Sequence, residues 1–318
     1  ISSAAAPATT VLSVSSAVAS GAFYQTSTPS EPSSSSSPIP AQTSSAPSAS
    51  NPESPSASGI HANFPSGSIK CTDFPSDFGA TPLYNQGLGG WIGIQKAGTI
   101  ESDGALNNIE TMVSDLCTDG NCCQEGDYCS YACPPGYQKS QWPKVQGETG
   151  QSVGGIQCQN GYLTLTNPEY HTLCIPGVDA VTVKVENKLP GNASICRTDY
   201  PGTEGMYIPL GTVSGETYPL TVPDGSTYYH WEGKSTSAQY YVNNLNVSPG
   251  DGCIWGDGSE PVGNWAPLVI GAGYSQGQAW LSLMPNHPTT YANLDFTIEI
   301  VGDNVSNTCR YSKGQYCS

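Results

Sequence analysis

The chain has 318 residues, 26 acidic against 10 basic side chains and a net charge of −16. That balance lacks the basic footprint of a nucleic-acid-binding protein, and it disfavours an anionic membrane surface. No apolar run approaches the length of a membrane span, whereas a neutral polymer would not be repelled.

Residues 1–62 are dominated by Ser, Thr, Ala and Pro, with Glu31 and Glu53 the charged residues among them. Such a segment buries too little apolar surface to offset its ordering entropy, so it is expected to be disordered, as an O-glycosylated stalk or a bare linker. The chain opens at Ile1 rather than Met, which suits a processed secreted product. Residues 63–318 read as one folded unit, without an internal repeat or a second linker.

Within that unit "DGALNNIETMVSDLC" predicts a helix, because Leu106, Ile109, Met112 and Leu116 recur at helical spacing and Ser102 or Asp103 can cap it. After Cys158 the period changes to two. "YLTLT" alternates, "AVTVKVE" sets Val181, Val183 and Val185 on one face, and "LDFTIEIV" sets Leu294, Phe296, Ile298 and Ile300 on one face. "TYYHWEG", "AQYYVNN", "PLVIGAG" and "QAWLSLM" add further strands between short turns. The expected fold is all-β: mainly an antiparallel β-sandwich, with a thaumatin-like form of it as one option, one or two short helices and a disulfide-rich loop region.

Twelve cysteines, at Cys71, Cys117, Cys122, Cys123, Cys129, Cys133, Cys158, Cys174, Cys196, Cys253, Cys309 and Cys317, form an even set that predicts six bridges and an oxidising compartment. Sequons at Asn192, Asn246 and Asn304, each in a polar turn-like context, agree with a secreted glycoprotein. Cys123, Cys129, Cys133 and Cys158 follow C-x5-C-x3-C-x24-C. Zinc knuckles need two close pairs with about two to four residues inside each, and here only Cys129 and Cys133 are that close. Disulfides are the expected state, with no metal and no cofactor.

The same spacing, with "GLGGWIGIQ", "YCSYACPPGYQKSQWP", "CRTDYPGTE", "TSAQYYVNN", "GNWAPL" and "LSLMPN", resembles the fungal SUN family of secreted cell-wall proteins, glycoside hydrolase family 132. The resemblance runs from about Phe64 to Cys309 and includes the Ser/Thr-rich start; family members often add a short strand after the last cysteines, whereas this chain stops at "CRYSKGQYCS". It implies a secreted, wall-located protein that binds and hydrolyses or remodels β-1,3-glucan, with chitin as a further wall partner, in septation, cell separation and wall organisation. The alternative is a non-catalytic lectin-like or wall-loosening protein.

Glycoside hydrolysis needs two carboxyl groups, about 5–5.5 Å apart for retention and about 6.5–9.5 Å for inversion. In "CRTDYPGTE", Pro201 and Gly202 fit a type II turn, which would set Asp199 and Glu204 opposite each other as catalytic acid and base, with Arg197 steadying the ionised member. Glu125, Asp127, Glu232, Asp251, Asp257 and Glu260 are weaker candidates, expected mostly to be solvated surface. Eighteen Tyr and six Trp against five Phe suit sugar faces. Trp91, Trp142, Trp231, Trp255 and Trp265, with Tyr137 and Tyr200, are therefore the expected substrate-binding aromatics, each set against the alternative of core packing. Pro134 and Pro135 would stiffen a disulfide-held loop that displays Tyr137 and Trp142.

Overall fold

The computed structural model describes residues 8–15, 59–84, 87–97, 109–111, 117, 121–144, 152–200, 208–302, 305–312 and 314–317. The first strands in chain order are β1 (Ala8–Ser15), β2 (Gly93–Ala97), β3 (Ile109–Thr111), β4 (Asp127–Ser130), β5 (Tyr137–Lys139), β6 (Ile156–Gln159), β7 (Tyr162–Thr164) and β8 (Cys174–Pro176). The next are β9 (Val181–Asn187), β10 (Ala193–Tyr200), β11 (Ile208–Thr212), β12 (Thr217–Leu220), β13 (His230–Trp231) and β14 (Lys234–Ser235). They are followed by β15 (Ser237–Val242), β16 (Leu268–Ser275), β17 (Gln278–Pro285), β18 (Thr297–Gly302), β19 (Cys309–Ser312) and β20 (Gln315–Cys317). One four-residue helix, α1 (Pro249–Gly252), is capped by Ser248, whose hydroxyl accepts from the Asp251 amide.

Two bodies of sheet result. The first half of the chain builds a sheet ordered β3-β2-β4-β6-β7, and the second half, joined by β1 from the start of the chain, a sandwich of a six-stranded sheet, β12-β9-β1-β18-β19-β20, on a five-stranded one, β11-β10-β15-β16-β17. All ladders are antiparallel except the one between β1 and β9. The sandwich core is the set that the alternation predicts. Val183 and Val185 meet Ile298 and Ile300 from one sheet, and Ile195, Tyr240, Val242 and Ile270 meet them from the other. Polar residues between these positions face outward, the ordinary result of a period of two on a sheet with one face buried.

Three expectations are corrected. Ile109–Thr111, inside the predicted helix, is a strand antiparallel to β2; its β-branched Ile109 and Thr111 suit an edge position, and the pairing overrides the helical spacing of the apolar residues. The remainder of that predicted helix lies outside the described residues. Ala8–Ser15, in the segment expected to be disordered, is a strand between β9 and β18. "TYYHWEG" yields only the two-residue strand β13, in a small hairpin with β14.

Five bridges staple the bodies: Cys71–Cys158, Cys117–Cys122, Cys123–Cys129, Cys133–Cys174 and Cys196–Cys253. Four of the five lie in the first body, whose core they help to fill. A sixth bridge through Cys309 is not formed. The β19–β20 register sets Cys317 across from Arg310, one residue out of step with Cys309.

Candidate functional site

The predicted acid pair falls at the end of β10 (Asp199) and in the chain segment between β10 and β11 (Glu204). The side chains of Asp199 and Tyr200, and all of 201–207 including Glu204, lie outside the described residues. The ladder below them is defined. It pairs Arg197 with Ile208 and, on the other side, Asp199 with the fully buried Ala238. A hairpin that set Asp199 opposite Glu204 in continuous register would pair Arg197 with Met206. The observed register is therefore two residues away from that arrangement.

Arg197 itself is only 3 % exposed. One of its terminal nitrogens donates to the Tyr137 carbonyl at 2.9 Å, and the Thr221 hydroxyl donates to the same oxygen at 2.9 Å. The Tyr240 hydroxyl accepts from the Thr221 amide and donates to the Thr221 carbonyl, both at 2.8 Å. Burial pushes the Tyr240 phenol above its ordinary value, against the opposing pull of Arg197. Arg197, Thr221 and Tyr240, with Pro134, Pro135 and Cys133, line a cavity of about 20 Å³, which is room for one water and not for a sugar. Arg197 is thus a buried fastener between the β5 hairpin and the sandwich. The doubled proline packs at this seam.

Asp127 is a second buried group, 1 % exposed. One carboxylate oxygen accepts from the Gln124 amide at 3.1 Å and the other has no protein partner. Burial raises its pKa, while the Gln124 amide and Lys96 pull it down. A carboxyl perturbed this way is what a general acid needs, yet the Gln124 contact also closes the turn before β4. Glu260 is exposed, and the other four weaker candidates hold local structure. Glu125 accepts from the Asn160 and Gly161 amides, and Asp257 accepts from Ser259, which lowers its pKa. Asp251 receives the Ser248 hydroxyl, and Glu232 pairs with Lys234 across 4.0 Å.

The segment "YQKSQWP" forms a polar junction that sequence reasoning missed. Gln138, Lys139, Ser140 and Gln141 are all at most 3 % exposed. The Lys139 ammonium donates to the Ser130 hydroxyl at 2.5 Å and lies 4.1 Å from the centre of the Trp142 ring. Trp142 stacks on Tyr229 at 3.9 Å and donates to the Tyr228 hydroxyl at 3.0 Å. A lysine inside a short strand ordinarily reads as surface, so the sequence carried no signal for this burial.

The expected aromatics divide. Trp91 and Trp142 are buried, and Trp91 packs edge-on to Phe74, so neither is displayed as a stacking platform. Tyr137 is half-buried against His61. Trp231 and Trp265 are also half-buried; Trp265 donates to the Gly256 carbonyl, and Lys234 lies 5.3 Å from the Trp231 ring. Trp255 is 60 % exposed, and Trp280, absent from the sequence-derived set, is 42 % exposed. The overlooked signal for Trp280 was Gly-Ala-Gly at 271–273, since glycines inside a strand mark close approach by another group. Asn192 and Asn246 are exposed neighbours, the Asn246 amide donating to the Asn192 carbonyl at 2.7 Å. Asn304 lies outside the described residues. Among the described residues no cluster of three metal-ligating side chains occurs, and the sulfurs of Cys123, Cys129, Cys133 and Cys158 are all in disulfides.

A model of the family described as "Beta-glucosidase (SUN family)" matches residues 66–318. The chain is 53 % identical over 266 residues to "Secreted beta-glucosidase sun1" of Aspergillus fumigatus, covering 83 % of this chain and 62 % of that protein. It is 48 % identical over 256 residues to "Secreted beta-glucosidase SUN41" of Candida albicans, covering 80 % and 56 %. It is 44 % identical over 256 residues to "Beta-glucosidase-like protein NCA3, mitochondrial" of Saccharomyces cerevisiae, covering 80 % and 70 %. The chain thus spans about three-fifths of the length of the first two relatives. No solved structure matches it.

Proposed function

Because the chain belongs to the SUN family, we propose that it is a secreted fungal wall protein that binds β-1,3-glucan and hydrolyses or remodels it during septation and wall organisation. The observation that carries this reading is the breadth of the family match, which takes in nearly the whole disulfide-bonded body and the sandwich. Five disulfides fit an oxidising compartment, and a net charge of −16 is compatible with a neutral glucan. In this reading Asp199 and Glu204 supply the acid and the base.

A lectin-like role is the second reading, favoured by the exposure of Trp255 and Trp280. Large flat rings left in water suit a sugar face, and stacking needs no carboxyl pair. Product release from soluble β-1,3-glucan separates the two. For an enzyme, Asp199→Asn or Glu204→Gln abolishes products while retention on insoluble glucan survives. Retention without products from the native chain would establish the lectin-like reading instead.

A further inference from the structure

Trp280 lies on the outward face of the sandwich in an unusual setting. Its cross-strand partner on β16 is Gly273, and Ser282 faces Gly271. A Cβ built on Gly273 would stand 2.6 Å from two carbons of the indole and 2.7 Å from its nitrogen. One built on Gly271 would meet the same ring at 3.0 Å, the Ser282 hydroxyl at 2.6 Å and the terminal carbon of Met284 at 3.4 Å. The ring therefore lies down along the glycines rather than standing off the sheet. One face is pressed on β16 and the other turned to solvent, which accounts for an exposure of 42 %. Glycine weakens a strand interior, so two in one strand are expected where something must approach the backbone closely.

The surroundings are uncharged. None of the outward-facing positions on β15, β16 and β17 is Asp, Glu, Lys or Arg, in a chain with 36 such residues. Gln239, across from Gly271, supplies an amide that donates to the Ser237 hydroxyl, and Tyr241 lies one pair further on, across from Val269. The nearest charged residue along β16 is Asp224, bridged to Tyr274, so the platform itself offers an ion no partner among the described residues of these three strands. A neutral, hydroxyl-rich ring with an apolar face finds one: its C–H face covers the indole and its hydroxyls meet the amide and hydroxyl groups.

The register also aligns this ring with the β10 tip. The row Asp199–Ala238–Ala272–Leu281 lies on the core side, where Ala238 and Ala272 are buried; one step along each strand, the outward row takes in the Gly273–Trp280 pair on β16–β17 and the Tyr200–Ser237 pair at the end of β10. Three strand spacings separate β10 from β17, about 14 Å, the length of a short run of sugars. We propose that Trp280, lying flat over Gly271 and Gly273, is a glycan-stacking subsite that holds a β-linked glucan chain across β15 and β16 toward the tip of β10. The choice of glucan rests on the function proposed above; the platform rests on the geometry.

The test uses the intact chain with insoluble β-1,3-glucan, chitin and soluble laminarin as probes. Trp280→Ala is expected to weaken retention on β-1,3-glucan at least tenfold, with the thermal midpoint and near-ultraviolet dichroism preserved outside the indole's own contribution. Because Trp280→Ala could perturb β17, Trp280→Phe provides a second measurement. Laminarin should shift the tryptophan fluorescence of the native chain, and most of that shift should be missing from Trp280→Phe. Equal retention by native and Trp280→Ala chains overturns the platform and leaves the glucan-binding function standing. A native chain held by chitin alone overturns glucan as the occupant, and one held by neither polymer overturns both this subsite and the function on which it rests.

Discussion

Replacing Tyr240 with Phe tests, at a single atom, the link between the two sandwich sheets that backs the Tyr137 contact. The hydroxyl satisfies both main-chain groups of Thr221, each at 2.8 Å, and both residues are at most 3 % exposed. Phe keeps the ring and its packing, so the main loss is at the two Thr221 main-chain groups left without their partner, beside a contact with Arg197. Each such group costs about 1–3 kcal/mol, which gives about 2–6 kcal/mol for the pair. A water entering the adjacent 20 Å³ cavity brings the loss to the lower end, about 2–3 kcal/mol. For a domain of this size the midpoint should then fall by about 5–10 °C. The assay is thermal unfolding followed by near-ultraviolet dichroism without reductant. The native phenol is held above its ordinary value, so the folded state keeps its proton longer than the unfolded chain does. Its contribution is complete below about pH 10 and fades as pH rises further, and Tyr240→Phe should flatten that part of the alkaline profile. A midpoint within about 2 °C of the native one would refute the role given to this hydroxyl.

Two further outcomes follow from buried or unpaired groups. Burial raises the Asp127 pKa, so the ionised carboxylate destabilises the fold at neutral pH and its protonation relieves that as pH falls through the window just above the ordinary value of 3.8. The native chain should therefore gain on Asp127→Asn in parallel melting curves from pH 7 to pH 4, and a constant gap between them would contradict the burial argument. Thiol titration in denaturant without reductant should label Cys309, whereas complete protection of that residue would mean that β19 and β20 shift register to close a sixth bridge.

The sandwich was legible because a sheet with one buried face writes its period into the chain. Val183 and Val185, and the run from Leu294 to Ile300, are buried as their alternation implies. The Ile109–Thr111 strand was not legible, because short apolar segments fit either period and the free edge of β2 decides between them. Nor was Arg197: two residues before an Asp it suggests a carboxylate partner, yet it lies in the seam and donates to a carbonyl 60 positions away. Cysteine positions told the compartment but not the pairing, which depends on how distant strands meet. Lys139 is the plainest failure of residue-type reasoning. Its burial is made possible by Ser130 and Trp142, one contributed by another strand and the other by the following loop.

Engagement of β-1,3-glucan is the property we propose for this fold. The most direct measurement is a sedimentation isotherm of the intact, oxidised chain on insoluble β-1,3-glucan, with chitin and cellulose in parallel. Saturable retention on β-1,3-glucan that soluble laminarin displaces is the predicted result. A chain that stays in solution with β-1,3-glucan at every polymer concentration, while its melting curve shows it to be folded, would contradict the claim.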